Sequence, residues 1–501
     1  MSSDLPSVWL DPPPVIETDW FRAGARYDVA VLGAGLTGLV TAVLLARAGR
    51  QVAVVEARSV GAVTTGHSTA KATLLQGIRL STIVKNHTDH VAGAYLEGNR
   101  EGQEWLRAYC AEHGIDTEQR DAYTYAGAQS GASSVRQEFD IARRLGLPVQ
   151  LTDAVELPYP TYAAVRLPDQ LQFNPVALLA SLAQELRDAG GILIEGARVV
   201  KISLGRSSEL VTSAGRLSAA NVVLATGIPF MDRGLYFAKV TAQRSYALGF
   251  RVGTEIPRGM YISADTPTRS LRTARHGGEE LLLVGGNGHP VGRHSKNPSE
   301  LVADLTEWTS QWFPGAERTH MWSAQDYESH GGVPYVGKLP RGGGHVHLAT
   351  GYSKWGMTNA VAAALRISGE ILKRVPPWAR TLGTRVSKPA SAVRFTGANA
   401  AIGLAAVTGW LSAELHPLKD HEHKPADGTG VVGAERGEPV AISTVDGTTC
   451  ALSAICTHLG GVVRFNDLEK SWDCPLHGSR FAADGTVLEG PATSNLKPRP
   501  T

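Results

Sequence analysis

Several short stretches of this chain are apolar without polar alternation, and three of them run into glycine. Tyr27-Asp28-Val29-Ala30-Val31-Leu32 leads into Gly33-Ala34-Gly35-Leu36-Thr37-Gly38, Val222-Val223-Leu224-Ala225-Thr226 into Gly227, and Leu348-Ala349-Thr350 into Gly351. Runs of this kind predict strands buried on both faces, ending in tight turns. After Gly38 the chain reads as a helix to Ala48, and a second strand, Gln51 to Val55, ends at Glu56. Phe173-Asn174-Pro175 predicts a turn, followed by an amphipathic helix from Val176 to Arg187. The pattern changes near the C-terminus, where Gly430-Val431-Val432 and Pro439 to Ser443 predict short strands separated by turns, the start of a small antiparallel domain. Between the two regions, Phe395 to Ala413 carries no formal charge. Asn399 and many Gly and Ala residues make it too weakly hydrophobic for a membrane span of about twenty residues, so it predicts a buried or interdomain helix joining two modules.

The first glycine turn carries chemistry. In a strand–Gly-x-Gly-x-x-Gly–helix order, Gly33 permits the turn, Gly35 lets backbone amides such as those of Leu36 and Thr37 approach a pyrophosphate, and Gly38 allows close helix packing. Glu56 stands where a carboxylate bonds a ribose hydroxyl, and its charge disfavours a 2′-phosphate, so FAD or NAD fits better than NADP. The bland reading of the glycines alone is a loop, but strand, helix and acidic residue all stand where dinucleotide binding needs them.

At the other end, Cys456-Thr457-His458 is followed after fifteen intervening residues by Cys474-Pro475-Leu476-His477. Two thiolates and two imidazoles suit either a 2Fe-2S cluster or a structural zinc ion, but zinc sites usually pair Cys with Cys and His with His, whereas each knuckle here mixes the two. With Cys456-Thr457-His458-Leu459-Gly460, Trp472-Asp473-Cys474-Pro475, His477-Gly478-Ser479 and Gly490-Pro491-Ala492, the segment resembles the Rieske family. The resemblance implies that Cys456 and Cys474 hold one iron and His458 and His477 the other. High-potential members carry a disulfide where this chain has Gly461 and Leu476, and often a Tyr hydroxyl where it has Phe481, although Ser479 is kept. Fewer hydrogen bonds to sulfur imply a lower potential within about −150 to +300 mV.

Residues 15–375 resemble the D-amino-acid-oxidase-like family of FAD-dependent oxidoreductases, which includes glycine, sarcosine and gamma-glutamylputrescine oxidases. The resemblance lies in Gly61 to Lys71 with Ser68 and Thr69, in Ala197-Arg198-Val199, in the strands ending at Thr226-Gly227 and Gly351, and in Trp355-Gly356-Met357-Thr358 at a helix start that would stabilise a reduced flavin. It implies that these segments hold FAD. No Cys lies near Gly351, and Ala70 replaces the attaching histidine of dimethylglycine-dehydrogenase-like members, so the FAD is expected to be noncovalent. Gly331 stands where the family usually has Asp before its Pro turn, which weakens substrate assignment by analogy. His67 is a candidate neighbour of the flavin. Lys71, Tyr246, Lys354 and Trp355 are candidate catalytic residues, with Arg269 and Arg272 as possible carboxylate partners.

The expected fold is therefore α/β: a Rossmann-like FAD-binding domain with an interleaved α+β substrate domain, plus a small all-β C-terminal Rieske domain. The boundaries read as 1–385 for the flavoprotein, 386–415 for the linker helix and 416–501 for the Rieske domain. FAD-binding segments are expected at about 15–80, 151–234 and 321–375, with substrate-domain pieces at about 85–150 and 235–320.

Composition adds mostly exclusions. A length of 501 residues predicts two or three domains, and a net charge of +2 without long basic runs gives no reason to invoke nucleic acid. Of four cysteines, Cys110 and Cys450 remain outside the cluster motif, so no disulfide framework is expected. That scarcity, and an N-terminus with Asp4, Asp11 and Pro12-Pro13-Pro14 that does not read as a signal peptide, predict a cytoplasmic protein. His416, His421 and His423 sit among prolines and charges and read as an exposed connector. The resemblances together imply oxidation of the C–N bond of a small amine or amino acid by hydride transfer to flavin. Electrons then pass to the cluster and on to a redox protein or quinone; the alternative is an electron-transfer protein with no amine substrate of its own.

Overall fold

Four sheets organise the residues that this computed structural model describes, which are 6–293, 296–385 and 388–499. Asp4 and the boundary positions 1, 386 and 501 lie outside them. The first sheet grows from the apolar runs. Its central order is Tyr335–Lys338, Val346–Thr350, Gly215–Leu224, Arg26–Leu32, Val52–Val55, Ile192–Ile194. Arg26–Leu32 pairs parallel with both neighbours, Val29 facing Val52 on one side and Asn221 on the other. Helices cover one face, where Val29, Val54 and Val223 are buried with Leu39 and Val43 of helix Leu36–Arg47 and Val361 of helix Gly356–Ile371, and on the other face Ala30, Leu32 and Leu224 are buried with Val199, Ile202 and Leu210 of an antiparallel strand pair. A sheet covered on both sides needs no polar face, which is why these strands read as continuous apolar runs.

The second sheet is longer-stranded and mixed, in the order Glu317–Ser329, Val240–Arg251, Glu279–Pro290, Arg269–His276, Met260–Ser263, Thr117–Ala126, Ala163–Phe173, Lys71–Ala72. Ala163–Phe173 and Glu317–Ser329 are strands of 11 and 13 residues paired antiparallel within it. The stretches expected to return to the FAD layer at 151 and 321 thus begin in this second sheet, and the first layer is re-entered only with helix Pro175–Asp188 and strand Tyr335–Lys338. Polar residues such as Gln170 and Gln325, both buried, interrupt these strands, unlike the short runs of the first sheet.

Helix Pro389–Glu414 connects this body to two small antiparallel sheets, Thr429–Ser453 and Arg464–Glu489. Ile402 and Ala413 pack into their core beside Val462 and Leu476, while Leu404, Val407 and Leu411 are exposed. Asn399 Nδ2 donates to Ala238 O at 3.0 Å and Trp410 Nε1 to Gly460 O at 3.1 Å, so the helix bridges the two parts as an interdomain element. Among the described residues, no helix is long and apolar enough to cross a membrane.

Candidate functional site: a shared cavity and a four-ligand centre

A cavity of about 360 Å³ opens where the carboxyl ends of the first sheet's parallel strands meet the second sheet. Of the residues expected to hold FAD, Gly33, Gly35, Leu36, Thr37, Glu56, Ser68, Thr69, Val199, Thr226, Gly227, Gly351, Gly356 and Met357 line it. Gly38 and Thr358 do not. A Cβ on Gly38 would lie 1.9 Å from Gly33 O, so this glycine seats the helix on the turn. Thr358 is tied into a buried polar network, its hydroxyl donating to Asn99 Oδ1 at 2.6 Å.

The turn leaves room for a ligand by construction. Gly33 adopts φ +107°, and a Cβ there would stand 2.5 Å from Ala225 O. Helix Leu36–Arg47 begins at Gly35, which has no side chain to cap it; Leu36 N donates to Thr65 Oγ1 at 3.2 Å, and the helix start lines the cavity with the positive end of its dipole. Glu56 accepts from Ala34 N at 2.9 Å and Arg58 N at 2.8 Å, while burial pushes its carboxyl pKa up. A helix start, a glycine cradle and a buried carboxylate on one cavity wall fit the pyrophosphate and ribose of a dinucleotide.

All four candidate catalytic residues line the same cavity. Lys71 enters it from a strand paired with Ala163–Phe173, its Nζ bonded to Ser270 Oγ and 3.4 Å from Tyr261 O. Burial lowers its pKa to about 7. Tyr246 is bonded through its hydroxyl to His289 Nε2 at 3.0 Å, and burial pushes its pKa up. Lys354 adopts φ +71°, and its amide donates to Asp326 Oδ2 at 2.5 Å. Trp355 forms the N-cap of helix Gly356–Ile371. His67 also lines the wall, its Nδ1 2.7 Å from Val63 O.

Neither arginine offered as a carboxylate partner lines the cavity. Arg269 is bound to Asn287 Oδ1 at 2.6 Å and Asp304 Oδ2 at 2.8 Å, and Arg272 donates to Thr69 O at 2.6 Å and Ala70 O at 3.0 Å. Sequence reading missed Asp326, a buried carboxyl on the cavity wall whose pKa desolvation raises to about 6. Its strand, Glu317–Ser329, is rich in polar residues, so nothing local set Asp326 apart. It also missed Tyr352, whose hydroxyl pairs with Thr37 Oγ1 at 2.9 Å, and the C-terminal loop residues Leu488, Glu489, Gly490 and Ala492, which line the same cavity.

In the C-terminal part, Cys456 and Cys474 are buried and close enough for their thiols to hydrogen-bond, which lowers Cys456 and raises Cys474. The amides of His458 and Leu459 and the Ser479 hydroxyl also point at Cys456 sulfur. The rings of His458 and His477 lie 5.2 Å apart. His477 Nδ1 is buried without a hydrogen-bond partner, and His458 uses Nε2 to meet Asp232 Oδ1 at 3.0 Å, leaving Nδ1 free to coordinate. Two sulfurs and two imidazole nitrogens thus converge with an orphaned buried donor atom among them, which fits a metal cluster. Leu476 fills the space where a bridge to position 461 would lie, a Cβ on Gly461 falling 2.5 Å from Leu476 Cγ.

The two parts meet through charge and backbone. Arg244, itself buried, pairs with Glu469 and with Glu489 at 3.4 Å, and Gln325 Nε2 donates to Gly478 O at 2.8 Å. Phe237 packs edge-on to both His458 and His477, at 5.3 and 4.8 Å. The imidazole edge of the four-ligand centre therefore faces the larger domain.

Comparison with known proteins agrees with both halves. The family model for FAD-dependent oxidoreductases matches residues 28–368 and that for the Rieske [2Fe-2S] domain matches residues 418–500. YhfW of Bacillus subtilis (strain 168), named for a Rieske 2Fe-2S iron-sulfur protein, is 31% identical over 510 residues, covering 99% of this chain and 96% of its own length. Glycine oxidase from Geobacillus kaustophilus shares the fold with a TM-score of 0.59 at 21% identity, over 70% of this chain and 96% of that one. L-Proline dehydrogenase from P. horikoshii gives a TM-score of 0.59 at 17% identity, over 71% and 95%.

Proposed function

The chain belongs to the FAD-dependent oxidoreductase family and carries a Rieske 2Fe-2S domain, and from that premise we propose that it oxidises the C–N bond of a small amine or amino acid and exports the electrons through the cluster to a redox protein or quinone. Bound FAD supplies a hydride acceptor and the cluster a one-electron carrier. The FAD-holding residues are those named on the cavity wall, and the cluster ligands are Cys456, His458, Cys474 and His477. Lys71, with a pKa lowered to about 7, is placed to take the proton of an incoming ammonium, so that the nitrogen lone pair is free when the C–H bond breaks. Asp326 offers the ammonium a counter-charge, and Tyr246 and Trp355 wall off water. The observation that carries the reading is that Leu488, Glu489, Gly490 and Ala492 of the Rieske part line the same cavity as the glycine turn. A cytoplasmic location suits four unbridged cysteines.

The test is anaerobic addition of an amine and amino-acid panel to the matured protein, with flavin absorbance and cluster paramagnetism recorded together. One class of amine should bleach the flavin and then reduce the cluster. Bleaching only by reduced ferredoxin or NADH, with no response to any amine, would replace this reading with that of an electron-transfer protein.

A further inference from the structure

Away from the cavity, Asp11, His276 and His320 bring a carboxylate oxygen and two imidazole nitrogens to within 4.8 Å of one another. His276 closes the strand Arg269–His276 and His320 lies in Glu317–Ser329, two strands that are not neighbours in their sheet. Their meeting depends on Gly249 between them, which lets the His320 ring lie across the sheet; a Cβ there would sit 3.2 Å from His320 Cβ. The rings of His276 and His320 stand 4.7 Å apart.

The hydrogen bonds leave one ring nitrogen of His320 facing a carboxylate. Thr319 Oγ1 lies 3.2 Å from Gly249 O and 2.8 Å from His320 Nδ1. With Nδ1 engaged by Thr319, Nε2 is the ring atom left to meet a cation. His320 Nε2 lies 3.3 Å from Asp11 Oδ2, and His276 Nε2 lies 3.8 Å from the same oxygen. One carboxylate oxygen and two imidazole nitrogens at these separations surround a place for a cation. Bonds of about 2.0–2.1 Å to a tetrahedral ion place ligand atoms about 3.3 Å apart, so the observed separations are within a small side-chain adjustment of a site. A hydrogen bond at the distal nitrogen, here between His320 Nδ1 and Thr319 Oγ1, is the usual support of a metal-binding histidine.

We propose that Asp11, His276 and His320 bind a divalent cation of the zinc class, with water completing the coordination, and that this ion latches the N-terminal arm onto the second sheet. The arm in turn holds the cavity wall. Ser7 Oγ donates to Gly66 O at 2.7 Å, Trp9 Nε1 donates to Ser68 O at 2.7 Å, and Arg272 stacks over Trp9 while bonding Thr69 O. Two His and one carboxylate suit zinc or cobalt(II) better than magnesium or calcium, which prefer oxygen.

The experiment uses the full protein with flavin and iron contents verified, stripped of loose metal by chelator and titrated with Co²⁺ by absorption and with Zn²⁺ by calorimetry. One equivalent should bind, with the visible bands of four- or five-coordinate cobalt. Asp11→Asn and His276→Gln, both changes at partly exposed positions, should each weaken binding at least about tenfold while flavin and iron contents stay as in the wild type. The same arm should become more susceptible to protease when the metal is removed. No binding by the wild type at micromolar metal, or equal binding by both variants, overturns the proposal.

Discussion

Lysine keeps its charge in water far into the alkaline range, and Lys71 is the residue where the fold removes that water. Burial lowers it from 10.5 to about 7. Between those two pH values the unfolded chain binds a proton that the folded chain does not, so this group makes stability rise with pH across that window and imposes its full penalty below about 7. Lys71→Met should therefore raise the melting temperature at pH 6 by about 3 °C and lose most of that gain by pH 10. In the Lys71→Met variant catalysis should lose where stability gains. If Lys71 accepts the amine proton, kcat/KM rises with pH through about 7, and the variant loses about 100-fold in kcat/KM together with that limb of the profile. A variant that keeps the limb would remove Lys71 from the proton's path. His67, whose pKa burial lowers on the same wall, is the residue to examine in that event.

The contact between the two halves rests on a short strand and its loops. Arg244 and Arg480 are buried among Glu469, Glu489 and Asp473, with Arg480 Nη1 donating to Glu489 Oε1 at 2.7 Å and its Nε to Asp473 Oδ1 at 3.0 Å. Although Glu469 loses water, the two guanidiniums hold it well below the usual carboxylate range. Its stabilising share is therefore present above the ordinary carboxylate pKa near 4.5 and lost only as pH falls below that toward its folded value. Arg244→Met leaves buried carboxylates short of a partner and should cost about 3–5 kcal/mol of docking. In thermal scans the flavin and cluster absorbances, which should melt together in the wild type, should separate in the variant. The same elements show what a sequence can carry. The Gly33 turn and the two Cys-x-His and Cys-x-x-His knuckles were legible because local backbone geometry and ligand chemistry leave few residue types that work. Arg244 and Asp326 were not, because antiparallel pairing over about 80 residues of chain, Gln243 opposite Asp326, decides what they face. Arg272 misled for a related reason: a strand arginine reads the same whether it meets a ligand carboxylate or, as here, backbone carbonyls.

At the scale of the whole molecule, the arrangement decides which partner the cluster meets first. Imidazole ligands form the edge through which such a centre would exchange electrons, and here the His458 side chain is only 6% exposed, with Asp232 and Phe237 of the larger domain against it. An edge closed to solvent favours exchange within one chain over exchange between chains. After rapid mixing with a substrate that reduces the flavin, reduction of the cluster should follow at a rate independent of protein concentration over about a tenfold range. Phe237→Ala, which opens a gap beside both His458 and His477, should slow that phase without changing the rate at which the flavin is bleached. A cluster-reduction rate that climbs in proportion to protein concentration would mean that the centre is served by another molecule, and that the docked interface built on Arg244 holds the domains together without carrying the electron.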